Sequence, residues 1–306
     1  MRLSQALDLF ITASIAARRS DYTIRWYRQY IGRLIAYTQD ADLADLTKEQ
    51  LRAFFAGLSG SVVKWQNHKY RKPVASSLSA ATLKGYWQAV RALFNWLEEN
   101  EYITPQGNIA RRLARPKQPK REPKAVTIED VRAMFEAAKT KGEMCKRDFA
   151  LLSFFFDTGC RIGGVVSLTL ENLYVSERRA MVTEKGDKTR PVFFTARTQK
   201  ALREWLDCRL SGSNYVFVTE TGAKLSEWGM RQIFRRTKKR AGVFGRVNPH
   251  SWRHAFSKFY LQNGGDLATL SDLLGHTDVK VTRDTYAVFT VAELQRKYDQ
   301  HSREEI

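Results

Sequence analysis

The residues most able to do chemistry lie in the second half of the chain. His250-Ser-Trp-Arg253 follows Pro249, which suits a first helical turn, so the segment is predicted to open a helix. A spacing of three puts His250 and Arg253 on one face. Backbone N–H groups at a helix start also favour an anion. One group to move a proton and one to hold negative charge is the pair that phosphoryl chemistry needs. Leu273-Leu-Gly-His276 adds a second histidine, and Gly275 can end a helix in the left-handed conformation and aim His276 off its axis. Tyr286 follows ten residues later, with Tyr260 and Tyr298 as rivals by proximity. Facing a phosphate held by arginines, its phenol would be a nucleophile. Arg161 sits in Asp157-Thr-Gly-Cys-Arg-Ile-Gly-Gly, where glycines let backbone approach a ligand closely. A buried arginine is costly without an acid. Arg161 therefore either pairs with an acid such as Asp157 or Glu171 or meets an anion from outside. Lys185 lies in Glu184-Lys-Gly-Asp-Lys188, at the tip of an expected β-hairpin.

Taken singly, each signal has an ordinary explanation. An HxxR pair is commonly a surface pair, a histidine after Leu-Gly a helix cap, a late tyrosine packing, and a hairpin lysine a solvated charge. The chain as a whole favours chemistry on a polyanion. Its 306 residues carry 51 Lys+Arg against 32 Asp+Glu, a formal net charge of +19, with a pI near 9.9. Hydrophobic residues make up 43%, so the charge belongs to a globular protein and not to a basic tail. That balance disfavours a plain metabolic enzyme and favours nucleic acid or an anionic membrane surface. No apolar run approaches the ~20 residues of a bilayer span. The amphipathic start, broken by Asp8, is predicted to be a first helix and not a secretory signal. Cys145, Cys160 and Cys208 are odd in number and scattered, which indicates three small core residues in a reducing compartment, with no zinc site.

The elements that must position these groups fall into two parts, as expected at roughly 150 residues per domain. Residues 1–110 are predicted to be all helical. Leu3, Leu7, Phe10, Ile11 and Ile15 share one face, Ser20 or Asp21 caps a second helix, Thr47-Lys-Glu-Gln50 forms a capping box, and Ser79 caps a fourth helix. Between the last two lies a long loop in which Lys64, Lys69, Arg71 and Lys72 interleave with Trp65 and Tyr70, a composition suited to nucleic acid. Residues 111–126 read as a basic, proline-spaced linker, with Arg115, Lys117 and Lys120 among its seven cations. An extended cationic segment of this kind can track a phosphate backbone. Residues 127–306 are predicted to be α+β. Helices are expected at Thr127, over 146–157, after Arg161, and over 195–209, 226–240, 249–262, 266–274, 279–284 and 291–300. A hairpin is expected over 179–183 and 189–194, with a further strand at Tyr215–Val218.

The order Arg161, hairpin Lys185, HxxR, Leu-Gly-His and Tyr resembles the tyrosine recombinase, or phage integrase, family. The resemblance is carried by TGCRIGGVVSLTLENL, EKGDKTRPV and NPHSWRHAFSKFYLQNGGDLATLSDLLGHTDVKVTRDTY, with a helical domain and basic linker ahead of them. It implies a mainly α fold with a small β-sheet. A helical, SAM-like core-binding domain would precede the α+β catalytic domain, and the two would clamp duplex DNA with the linker crossing between. It implies that Arg161 and Arg253 hold the scissile phosphate, Lys185 protonates the leaving 5′ oxygen, His250 is the acid/base, His276 stabilises charge and Tyr286 attacks. Lys188 competes with Lys185 in register, and Arg190 is expected on a phosphate. The resemblance further implies a simple, Xer-like recombinase acting in the cytoplasm, at the nucleoid, as a tetramer on two DNA sites. No metal, nucleotide or other cofactor is expected. Helical residues from near Met1 leave no room for an arm-binding domain, and the tail after Tyr286 is expected to dock on a neighbouring subunit. Two positions depart from the family's habit. Gly164 stands where an acid is frequent, which leaves the support of Arg161 open, and Trp252 stands where Leu is common. The competing readings are a type IB topoisomerase-like relaxing enzyme, a catalytically decayed DNA-binding relative, and an RNA- or membrane-binding protein, which explains the charge but not the motifs.

Overall fold

The computed structural model describes residues 1–64, 74–117, 126–139, 143–184 and 188–275. Lys69, Arg71, Lys72, Lys120, Lys185, His276 and Tyr286 lie outside the described residues, as do the helices expected over 279–284 and 291–300. The chain divides into two compact units, Met1–Arg121 and Glu122–Ile306.

The first unit is built on four helices: α1 (Leu3–Ala16), α2 (Asp21–Tyr37), α3 (Lys48–Ser59) and α4 (Ala80–Glu99). Their starts follow from side chains that satisfy otherwise unpaired N–H groups. Ser20 accepts from the Thr23 N–H, and Ser79 from the Thr82 N–H. Thr47 and Gln50 close a reciprocal box, with N–H to side-chain distances of 2.8 and 3.1 Å. The core gathers Leu3, Phe10, Ile11, Ile31, Leu34, Leu51, Phe54, Val90, Leu93, Phe94 and Leu97.

Three expectations change in this unit. Ile15, assigned to the buried face of α1, is 58% exposed, and that face closes instead with Ala6 and Ser14. The loop between α3 and α4 is entered and left by paired strands, β1 (Ser61–Lys64) and β2 (Val74–Ser77), antiparallel with Ser61 opposite Ser77. Lys64 ends β1. Leu113, read as part of an exposed linker, is buried in the helical core, and its carbonyl accepts from the Trp87 indole N–H at 3.1 Å. Arg115 and Lys117, just beyond it, are exposed.

The second unit wraps helices around a three-stranded sheet. Its elements are α5 (Ile128–Ala138), α6 (Glu143–Thr158), α7 (Ile162–Val166), β3 (Leu173–Tyr174), β4 (Arg179–Glu184), β5 (Lys188–Phe193), α8 (Ala196–Leu206), α9 (Glu227–Arg240), α10 (Pro249–Gln262) and α11 (Leu267–Leu274). The sheet order is β3-β4-β5, all antiparallel, with Glu184 opposite Lys188 closing the hairpin. The centre of α6 is apolar on nearly every side, and Ala150, Leu151, Leu152, Phe154 and Phe155 are all buried. Trp252 is fully buried on α10 and meets Phe135, Phe156 and Phe234 edge-on, with centroids 5.7, 6.0 and 5.4 Å away. An indole fills a pocket among three rings here, which accounts for the unusual residue in this HxxR segment. The strand expected at Tyr215–Val218 is reduced to two isolated bridges, Thr169 with Tyr215 and Val218 with Lys224. Of the three cysteines, Cys160 is buried, while Cys145 and Cys208 are half-buried.

Leu93 and Ile15 separate the buried and exposed faces of the first unit. Leu93→Ala should cost about 2–5 kcal/mol through the cavity it leaves. Ile15→Ala should fall within about 0.5 kcal/mol of wild type. Urea denaturation followed by circular dichroism reads both.

Candidate active site

Four elements of the second unit converge on one carboxylate, Glu184. The burial of β4 alternates, so Ala180, Val182 and Glu184 face inward. The hairpin register places Arg190 opposite Val182, on the same face and diagonal to Glu184. The Arg190 Nη2 donates to Glu184 Oε1 at 3.2 Å, and its Nη1 donates to the carbonyl of Leu273 at the end of α11. Arg161, the residue before α7, reaches Glu184 twice. Its backbone N–H donates to Oε1 at 2.7 Å, and its Nη1 forms a short ion pair with Oε2. Arg253, on α10, has Nη1 3.9 Å from Oε1. It also donates to the Gly159 carbonyl at 2.8 Å and to the Leu274 carbonyl at 2.7 Å.

The three arginines differ in exposure. The Arg253 side chain is 3% exposed and Glu184 likewise 3%, while Arg161 keeps 41%. The cluster therefore has a buried frame and one guanidinium reaching solvent. Among the described residues, three positive charges meet one negative here, a surplus suited to an anion. Burial alone would push the Glu184 carboxyl up. Arg190, the Arg161 N–H, Arg253 and the Arg161 guanidinium outweigh it and hold the group below the usual carboxylate range.

The acid that Arg161 meets is thus neither Asp157 nor Glu171. Asp157 accepts from Thr195, Thr198 and Arg197 at the start of α8. Glu171 faces Thr169 and Asn214. Glu184 lies where the sequence predicts the turn-rich centre of the hairpin, a place where a charged residue attracts no notice. The signal that would have found it is the alternation Ala180, Val182, Glu184, which puts an acid at a core-facing position. Arg190, expected on a DNA phosphate, is turned inward and bound within the protein. Lys188 is exposed at the closing pair of the hairpin.

His250 lies one turn before Arg253 on α10. Asn248 caps this helix by accepting from the Ser251 N–H at 2.9 Å. The His250 ring packs edge-on against His254, with centroids 4.4 Å apart. Partial desolvation lowers the His250 pKa, and Arg253, Arg246 and Arg161 lower it further, so the imidazole is neutral at pH 7. His254 falls further, to about 4, through burial, then His250, Arg253 and Arg246. Gly275 ends α11 at φ +64, in the left-handed region that the Leu-Gly-His segment predicts, immediately before His276. The Cys160 thiol beside Arg161 is pushed up by burial and is not a nucleophile at neutral pH.

Residues 124–292, more than half of the chain, match the phage integrase family. The chain belongs to that family, whose members are the tyrosine recombinases, and is a site-specific DNA recombinase. Among curated relatives, it is 28% identical to the tyrosine recombinase XerC of Alcanivorax borkumensis, over 96% of this chain and 92% of that one. It is equally 28% identical to XerC of Chromobacterium violaceum, over 97% and 94%. Two solved structures share the fold. The Tn1549 transposon integrase in complex with transposon right-end DNA has TM-score 0.76 and 14% identity, over 99% of this chain and 100% of that one. XerH recombinase bound to palindromic difH in a post-cleavage complex has TM-score 0.71 and 20% identity, over 97% and 83%. The mainly helical fold with a small sheet is that of these proteins.

The depressed histidines give this unit an acid-sensitive window. As pH falls from about 6.5 to about 4, an unfolded chain protonates His254 before the folded one does, so stability declines across that range. Glu184 acts in the same sense at lower pH, with its stabilisation present above its ordinary value of 4.5 and lost only below that, as pH falls through its lowered folded pKa. His254→Gln should therefore flatten the fall in melting temperature between pH 7 and pH 4.5. An unchanged slope would remove His254 as its source.

Proposed function

We propose that this recombinase cleaves and reseals DNA through a 3′-phosphotyrosine link, with Tyr286 as nucleophile. The observation that supports this most is the surplus-cation cluster, in which Arg161 reaches solvent, Arg253 is locked behind it and a neutral histidine stands one helical turn away. Arg161 and Arg253 hold the scissile phosphate and take up charge as it becomes five-coordinate. The Tyr286 oxygen forms a bond to phosphorus while the bond from phosphorus to the 5′ oxygen breaks. His250, neutral at pH 7, accepts the phenol proton. Lys185 gives a proton to the leaving 5′ oxygen, and His276 adds a hydrogen bond to the phosphate. A 5′-hydroxyl from another strand then attacks the phosphotyrosine and reverses the sequence, returning the proton to Tyr286. One phosphate ester replaces another, so no nucleotide is consumed.

Exchange between two duplexes needs four such sites, and we infer a tetramer on two DNA sites. Relatives of the fold are described as a dimer bound to a core site and a tetramer bound to a Holliday junction, both of lambda integrase. The exposed Arg115 and Lys117, with Lys64, Lys69, Arg71, Lys72, Lys120 and Lys188, supply sequence-independent attraction to the phosphate backbone that weakens with salt. The place of action we infer is the cytoplasm, on chromosomal or mobile-element DNA. No helix among the described residues is long and apolar enough to cross a membrane.

A nicked suicide substrate carrying the recombination site tests the assignment. Wild type should accumulate a covalent protein–DNA adduct on denaturing gels, and Tyr286→Phe should give none. Arg161→Ala and Arg253→Ala should each slow adduct formation by on the order of 100-fold or more. An adduct that persists in Tyr286→Phe refutes the nucleophile, and relaxation of supercoils without strand exchange would favour a topoisomerase.

A further inference from the structure

Gly164 sits in α7, one turn after Arg161, and faces the hairpin. A Cβ at that position would lie 3.1 Å from Cγ of Glu184 and 3.6 Å from its Oε1. The space that a side chain at 164 would fill is therefore already taken, by a carboxylate arriving from β4. Among the described residues, that carboxylate is the acid that Arg161, Arg190 and Arg253 share. It is also the last residue of β4, covalently next to Lys185.

We propose that Glu184 is the positioning residue of this active site, and that Gly164 and Glu184 are a matched pair in which the absence of one side chain makes room for the other. The inference rests on the reading in which Arg161 and Arg253 hold the scissile phosphate. Glu184 fixes the Arg161 guanidinium through Oε2 and the Arg161 backbone through Oε1. Arg161 thus enters at one angle, with its remaining N–H groups available to phosphate. Through Arg190, whose other arm holds the Leu273 carbonyl, the same carboxylate ties the hairpin to the end of α11. The segment leading to Lys185 and the segment leading to His276 are thereby referred to one point. Without the acid, three guanidiniums face each other across a buried space, and like-charge repulsion drives them apart. Because the acid is buried, its contribution is geometric: it does not touch the reacting atoms.

The geometry predicts a specific pattern of non-additivity. With Glu184 present, an acid at 164 meets both an occupied volume and a like charge. With Glu184 removed, an acid grown from 164 enters the vacated space beside the same arginines. Single-turnover cleavage of the suicide substrate should be measured for Glu184→Gln, Glu184→Gly, Gly164→Glu and the transposed double variant Glu184→Gly/Gly164→Glu. Melting temperature and duplex Kd are measured alongside. Each single variant should cleave about 10- to 100-fold slower, as expected when phosphate-binding groups are misplaced. For the two Glu184 variants the Kd should be no weaker than wild type, since they lose a negative charge. The double variant should recover most of the lost rate. Wild-type cleavage by Glu184→Gln and Glu184→Gly overturns the proposal. So does a double variant no faster than its slower parent. A fall in melting temperature that accounts for the lost rate in every variant overturns it too, because the acid would then be a stability element only. Tyr286→Phe separates the two layers. If it abolishes the adduct while the Glu184 variants cleave normally, the positioning role fails and the phosphotyrosine reading stands. If it leaves the adduct intact, the reading itself fails.

Discussion

Three guanidiniums cannot share a small, water-poor space without a counter-charge, and among the described residues the carboxylate of Glu184 supplies it. Much of the second unit is arranged to meet that constraint. The hairpin must end with an inward acid, α7 must begin where a backbone N–H can reach it, α10 must turn Arg253 inward, and α11 must stop where two of the arginines can also hold its carbonyls. None of these requirements is local. Each concerns where one element stands relative to another, so the site and the packing of this unit are one problem.

The roll of α10 shows how the hydrophobic interior solves part of it. Trp252 is too large to be accommodated casually, and its pocket among Phe135, Phe156 and Phe234 fixes the helix about its axis. Arg253 follows directly and is carried into the interior, where the Gly159 and Leu274 carbonyls satisfy it. His250, a turn earlier, stays at the surface end. A wide aromatic thus decides which of the two neighbouring candidate side chains is enclosed and which is accessible. It stabilises by its buried area and also sets direction.

What the sequence made legible was whatever depends on near neighbours in the chain. Helix starts at Ser20, Thr47, Ser79 and Thr127 rest on contacts three residues apart, and all are found as caps, while Pro249 stands in the first turn of α10 as its fixed backbone angle suggests. The left-handed stop at Gly275 is of the same kind. The hairpin followed from β-forming residues around a turn-rich centre. The partner of Arg161 was not legible, because Asp157 and Glu171 are nearer in sequence while Glu184 is nearer in space. Ile15 is exposed although it shares a helical face with Leu7 and Ile11, because helical spacing says which residues are aligned and not how far the neighbouring helix extends. The Tyr215 to Val218 segment has strand-forming side chains but only single bridges on either side, since β-propensity measures fit to a pleated surface and not the presence of a partner.

The end of α11 has a mechanical meaning. Arg190 holds the carbonyl of Leu273 and Arg253 that of Leu274, and the next residue, Gly275, has its left-handed turn packed against the Arg190 side chain. The chain toward His276 and Tyr286 thus departs from an anchored pivot, with its bearing set before the first of those residues is reached. The last described turn before His276 is thus held from two sides by arginines that also face Glu184, so the charge on that carboxylate and the stopping point of α11 are coupled through the same two side chains.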